Sequence, residues 1–262
     1  MQLVIPARNE ALRLPRTLDA LRAHVLAAGE SPAAIEVIVV DNGSTDDTAR
    51  LALAASTPAM PVRVVPCETP GKGAALREGM RHTTADVVAF MDADGATHLE
   101  ALVAGTRLIA AGADVAVGSR AVPGAVTTER HSRARVLGAA AYRRCTRQVA
   151  PGIADTQCGF KVFRGDLARA VFGDLVTTGF SFDVEVLARA QRRGASVVEF
   201  PVTWDDVPGS TFVPIAHGAS AFWDLALIAR RLRRSADTAE VAVLAPRVLP
   251  TAAPALAPAA EA

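Results

Sequence analysis

The stretch "VVAFMDADGATH", residues 87–98, runs an apolar segment into two carboxylates, Asp92 and Asp94, one residue apart. The segment 87–91 has no polar side chain and reads as a strand buried on both faces. Two like charges at the end of such a strand repel each other and lose hydration on burial. A hard divalent cation resolves that conflict, because it takes carboxylate and phosphate oxygens. The plainer reading is a solvated turn with an aspartate capping a helix over 98–111, since D-x-D is short and common.

The same design recurs on either side of this stretch. "LVIPA", "IEVIVV", "VRVVP", "VVAFM" and "DVAVGSR" read as strands. Helical patterns separate them, over 12–26, from about 46 with Ser44 or Thr45 as cap, and from "GKGAALREGMRH". This alternation predicts a doubly wound, mostly parallel α/β sheet whose ligands lie beyond the carboxyl ends of its strands. Asp41, Asp92, Asp94 and Arg120 all fall at such ends. The second half is less regular. It predicts helices over 133–149, 166–172, 183–193 and 219–234, with "DTQCGFKVFR" partly extended and "SVVEFPVTW" as a strand. Beyond Ser235 the chain is rich in Ala and Pro and has no aromatic residue, the composition of a disordered tail.

Composition narrows the class. The 262 residues are half hydrophobic and carry a net charge of +1, which speaks against a bulk nucleic-acid binder. Cys67, Cys145 and Cys158 are scattered without metal spacing and suit a reducing compartment. The histidines, His24, His82, His98, His131 and His217, show no ligand spacing either. The N-terminus enters a strand with no basic region ahead of an apolar stretch, so no signal peptide is expected. No apolar run reaches the ~18–20 residues of a membrane span. The expected location is cytoplasmic, with room for a peripheral contact on the inner face of the membrane.

Each constellation has a plain and a chemical reading. Asp41 either accepts from a ribose or base, or satisfies its own turn. In "PGKGAA" the glycines let backbone approach a phosphate and Lys72 adds charge near a helix start, or Lys72 is merely solvated; the spacing is not that of a P-loop. Arg120, Arg130, Arg133 and Arg135 suit a phosphate or form a solvated basic face. Asp155, Gln157 and Lys161 line a pocket or edge a strand. Asp183 and Glu185 begin a helix, as favourable charges at its N-terminus or as a general base.

In order, "VIPARNE", "VVDNGSTDDT", "GKGAALREGM", "FMDADGAT", "VGSR", "DTQCGFKVF", "FDVEVLARA" and "EFPVTW" resemble family 2 glycosyltransferases over residues 1–232. The resemblance is greatest to the branch of dolichyl- or polyprenyl-phosphate glucosyl- and mannosyltransferases. It implies a GT-A fold, with a nucleotide-sugar half (1–120) and an acceptor half (121–234) fused in one domain ahead of the tail (235–262). It also implies a nucleotide-sugar donor such as UDP-glucose, Mg²⁺ or Mn²⁺, and inversion at the anomeric carbon. By position, Pro6, Ala7, Asn9, Glu10, Asp41, Lys72 and Asp92 would meet the donor, and Asp92 and Asp94 the cation, with Asp94 the more direct ligand. Asp183 and Arg120 would be catalytic, Asp183 as the base that hydroxyl acceptors require. Arg130, Arg133, Gln157 and Lys161 would meet the acceptor.

The chain departs from the branch at Thr211, where a lysine is expected after the late tryptophan, and in "TTGFSFDVE", which lacks a basic or aromatic lead-in. The expected reaction is metal-dependent, inverting transfer of a hexose to a polyprenyl phosphate. Transfer to a small soluble hydroxyl or amine acceptor is the alternative. A nucleotidyltransferase would need a Gly-rich basic loop after the first strand, where this chain has "PARNEALRLP". An inactive sugar-nucleotide binder would have no use for the acid pair and Asp183 together.

Overall fold

The computed structural model describes residues 1–27, 35–128, 142–207 and 214–236, with α8 side chains described over 222–233. The expected arginines Arg130 and Arg133, the Thr211 loop and the tail beyond 236 lie outside the described residues.

Strands β1 (Gln2–Ala7), β2 (Glu36–Asp41), β3 (Val62–Pro66), β4 (Val87–Met91) and β5 (Val115–Ser119) appear where the apolar runs predict them. Helices α1 (Leu14–Ala27), α2 (Thr48–Ala54), α3 (Lys72–Arg81) and α4 (Glu100–Ala110) join them. Then come β6 (Val126–Thr127), the helical residues 142–149 (α5), β7 (Phe160–Arg164), α6 (Gly165–Gly173) and α7 (Phe182–Arg192). The strand expected over "SVVEFPVTW" divides into β8 (Val197–Pro201) and β9 (Thr203–Trp204), and α8 (Pro214–Ala236) follows.

The main sheet has the order β3-β2-β1-β4-β7-β5-β8. All its pairings are parallel except those of β7, which runs antiparallel between β4 and β5. β6 and β9 form a separate parallel pair. The order reverses between β1 and β4, and the crevice there opens at the strand ends that carry Ala7 and the acid pair.

Period-two alternation sorts the strand residues into two cores. Val37 and Val39 face the layer of α1, α2 and α4, where Leu14, Leu18, Ala52 and Leu102 are buried. Ile38 and Val40 face the layer of α3, α6, α7 and α8, with Met80, Phe172, Phe182 and Ile228. Both faces of β2 are therefore apolar, as its β-branched sequence requires. The apolar side of α8 (Leu225, Ile228, Leu232) packs into the second core.

One local expectation gives way. Neither Ser44 nor Thr45 caps α2. That helix starts at Thr48, and Asp46 Oδ1 accepts from Thr48 N at 3.0 Å. Ser44 and Thr45 turn instead to Asn9.

At Gly79, α3 comes close against the sheet. A Cβ there would stand 2.5 Å from Val4 Cγ1 and 2.6 Å from Val40 Cγ2. Gly79→Ala should therefore overpack the joint between α3 and β1–β2 and cost about 1–3 kcal/mol, despite the higher helix propensity of alanine. Urea unfolding measures this as a lower midpoint at unchanged slope.

Candidate active site

The acid pair follows β4, in the crevice between β1 and the inserted β7. Asp92 Oδ1 meets Lys72 Nζ at 2.5 Å. Asp94 Oδ1 accepts from Ala96 N at 3.1 Å. Burial, then repulsion from Asp92, raises the Asp94 carboxyl above its ordinary value. Glu10 on the adjoining loop is also raised, by burial, which outweighs the lowering effect of its partner Arg13, and by the charges of Asp94 and Asp92. Three acids thus crowd one end of the crevice.

Lys72 is held in place from below. Its ammonium lies 5.8 Å from the centre of the Phe182 ring, at the start of α7. Burial opposes its charge, but Asp92 and Asp183 together raise its pKa. The flanking glycines serve a purpose other than the expected one. A Cβ on Gly71 would stand 2.2 Å from Thr178 O, and one on Gly73 2.4 Å from Thr177 O. Gly73 N donates to Thr178 O at 2.8 Å and Ala74 N to the same oxygen at 3.3 Å. A protein carbonyl, not a phosphate, thus fills the N-terminus of α3. The 176–178 segment is itself fixed by Glu185, which accepts from Thr177 N at 2.9 Å and is paired with Arg189 at 2.7 Å.

Beneath the crevice lies a buried ion pair. Lys161 of β7 pairs in register with Phe90 of β4, and its ammonium sits 5.2 Å from that ring. Lys161 Nζ donates to Asp183 Oδ1 at 2.5 Å and to Cys158 O at 2.8 Å. The side chains are 0% and 4% exposed. Burial raises the Asp183 carboxyl, and Lys161 and Lys72 counter it. Lys161 was expected among the acceptor contacts and Asp183 as a base. The structure instead commits each to the other below the surface.

Arg120 ends β5 as expected, but its guanidinium is engaged. Nε and NH2 donate to Asp155 at 2.8 and 3.1 Å, and the group lies 5.4 Å from the Trp204 ring centre. Burial pushes the Asp155 carboxyl up, yet Arg120 holds it below the ordinary 3.8. Glu199 of β8 completes this wall by accepting from Ala154 N and Asp155 N. Gln157 follows, and its Nε2 is buried without a partner among the described residues.

On the donor side, Pro6 and Ala7 close β1. Asn9, the non-glycine residue at positive φ among the described residues (56°), accepts from Thr45 N at 2.8 Å. Asp41 Oδ1 accepts from Ser44 N at 3.1 Å, so one oxygen serves its turn. Two residues here escaped the sequence reading. Asn42 joins β2, β3 and α3 by donating to Cys67 O and Thr69 O and accepting from Gly71 N. Arg13 grips Glu10 with Nε and NH2, leaving NH1 buried without a partner among the described residues. The only sequence signal for Arg13 is its i,i+3 spacing from Glu10.

The acid pair fits a hard cation: it offers oxygen donors only, and Asp94 carries repulsion that a cation would relieve. Among the described residues no group of three or more His, Cys, Asp or Glu side chains is placed to hold a metal ion. Further ligands would have to come from a bound diphosphate and water, as is usual for Mg²⁺.

The family described as "Glycosyl transferase family 2" matches residues 2–172. The chain is 35% identical over 217 residues to a dolichyl-phosphate beta-glucosyltransferase of Trichomonas vaginalis, covering 79% of this chain and 64% of that one. It is 36% identical over 227 residues to the Drosophila melanogaster protein of that name (82% and 69%) and 32% over 230 to the Homo sapiens one (82% and 70%). It thus spans about two thirds of the length of these relatives. Among solved structures, glucosyl-3-phosphoglycerate synthase of Mycobacterium tuberculosis, with Mn²⁺, UDP and glucosyl-3-phosphoglycerate, superposes with TM-score 0.62 at 20% identity, covering 88% of this chain and 78% of that one. The same enzyme with Mg²⁺ and UDP gives 0.62 at 19%. These structural likenesses establish the fold.

Two predictions follow from the charges. Lys161→Met should destabilise the protein by about 3–5 kcal/mol at neutral pH, because Asp183 is left buried without its partner. The deficit should shrink as the pH falls and Asp183 protonates, and Asp183→Asn in the same chain should recover most of it in denaturant titrations. Asp155 has a depressed folded pKa, so its contribution to stability is present above the unfolded value and lost as pH falls through the folded one. Arg120→Ala lets burial raise that carboxyl, so the acid-unfolding midpoint should move to higher pH, as circular dichroism would register.

Proposed function

Because the chain belongs to glycosyl transferase family 2, we propose that it transfers a hexose, with inversion, from a nucleotide sugar of the UDP-glucose kind to a polyprenyl phosphate. The names of its relatives and the UDP-bound neighbours support the donor and acceptor classes. The observation that carries the choice of acceptor is the Lys161–Asp183 pair. An alcohol needs a base within hydrogen-bond reach. Asp183 is nearly inaccessible and already bound to an ammonium, so it is poorly suited to take a proton. A phosphate is anionic at neutral pH and needs none.

In this reading Asp92 and Asp94 would hold Mg²⁺ or Mn²⁺, and the bound cation would neutralise the departing nucleoside diphosphate. An acceptor phosphate oxygen attacks the anomeric carbon as the bond to the diphosphate breaks, and the diphosphate leaves with the electron pair. Pro6, Ala7, Asn9, Glu10 and Asp41 line the donor side, and Lys72 adds positive charge there. Arg130, Arg133 and Gln157 hold the acceptor. Arg120 and Asp155 brace the wall beside Gln157, and Asp183 keeps a fixed negative charge beneath Lys72.

A lipid acceptor would bring the protein to the cytoplasmic face of a membrane. No helix among the described residues is long and apolar enough to cross one. Phe222, Trp223, Arg230 and Arg233 are exposed on α8, a mixture of aromatic and basic side chains suited to an interface.

The test is a panel of UDP-, GDP- and TDP-hexoses with Mg²⁺ or Mn²⁺, scored by nucleoside diphosphate release. Release should require a short polyprenyl phosphate, stop with excess chelator, and be abolished in Asp94→Ala at unchanged melting temperature. Undiminished turnover in chelator would refute metal dependence. Equal turnover with the free polyprenol or small alcohols would overturn the phosphate acceptor.

A further inference from the structure

We infer that Lys72 and the divalent cation are rivals for one oxygen of Asp92, so that the cation enters the acid pair by displacing the lysine. The inference rests on the metal-dependent reading above. Asp92 Oδ1 is 2.5 Å from Lys72 Nζ. Asp92 Oδ2 lies only 2.0 Å from where a Cβ on Gly159 would stand, so the carboxylate is wedged between an ammonium and the backbone entering β7. On Asp94, Oδ1 accepts from Ala96 N. While Lys72 holds Asp92 Oδ1, the oxygens of the pair left without a hydrogen bond or ion pair among the described residues are Asp92 Oδ2, which the Gly159 backbone crowds, and Asp94 Oδ2. A hard cation that draws on both carboxylates and stays clear of the Gly159 backbone takes Asp92 Oδ1, the oxygen farther from that backbone, from the lysine.

Lys72 has somewhere to go. Its ammonium lies over the Phe182 ring, one residue before Asp183, and the Asp183 charge already acts on it. Diphosphate oxygens offer a second partner once a nucleotide is bound. The cation alone must break an ion pair without replacing it. Cation and nucleotide together break that pair and give the ammonium a phosphate. Lys72 thus makes the two ligands cooperative, and by linkage each raises the affinity of the other equally.

The experiment measures Mn²⁺ binding by electron paramagnetic resonance, with and without UDP, on the full chain and on Lys72→Met, Asp92→Asn and the double variant. Lys72→Met should bind Mn²⁺ alone about fivefold or more tighter than wild type. Its gain from added UDP should shrink, and the tightening should vanish in the Asp92→Asn background. Unchanged or weaker Mn²⁺ binding by Lys72→Met would overturn the inference. So would tightening that persists without the Asp92 charge, since that is through-space repulsion alone. A wild type that binds no Mn²⁺ even with UDP, and turns over in chelator, removes the metal reading and this inference together. A wild type that binds Mn²⁺ with UDP but fails the variant test removes this inference alone. If the variants do not fold, acylation of Lys72 in the wild type, followed by mass spectrometry, decides: Mn²⁺ alone should speed it, and an unchanged rate would overturn the rivalry.

Discussion

A lysine and an aspartate, Lys161 and Asp183, meet at 2.5 Å inside an aromatic core, and the site is built outward from that contact. Neither charge is tolerable there alone, because stripping water from an ion costs several kcal/mol. Their pairing ties β7 to the first turn of α7. β7 is the antiparallel insertion that sets the Gly159 backbone against Asp92. α7 carries Phe182 under Lys72 and Glu185 under the 176–178 segment. One contact thus fixes the strand beside the acid pair relative to the helix beneath its lysine.

The charges above continue the pattern. Lys161 meets Asp183, whose charge also acts on Lys72; Lys72 meets Asp92, beside Asp94. The signs alternate until the last step, where two acids, Asp92 and Asp94, adjoin and repel. That imbalance falls at the mouth of the crevice, where a ligand can reach it, and not in the core, where it would threaten folding.

Most of the architecture was legible because burial on both faces leaves an unmistakable pattern. "IEVIVV" has few alternatives to an interior strand, and the acid pair had to lie at its strand's end. The direction of β7 was not legible, since hydrophobic pattern carries no polarity. The buried pairing of Lys161 was not legible for a related reason. Lysine is seldom fully buried, and the partner that permits its burial is 22 residues away. The glycines around Lys72 were recognised as positions of close approach, but what approaches is the backbone near Thr178, more than a hundred residues downstream. Asn42 and Arg13 were missed because their importance lies in what they join. On α8, Leu225, Ile228 and Leu232 are buried while Phe222 is exposed.

The interlock between α3 and the 177–178 backbone bears on inheritance. Gly71 and Gly73 are shaped to Thr178 O and Thr177 O, and the Gly73 and Ala74 amides in the first turn of the helix are already given to Thr178 O. The two segments are distant in the gene but form a single part in space. Recombination between them would unite a lysine loop from one lineage with a backbone wedge from another. A change in one of these two short stretches is therefore tied to a change in the other, and they pass on as a matched set.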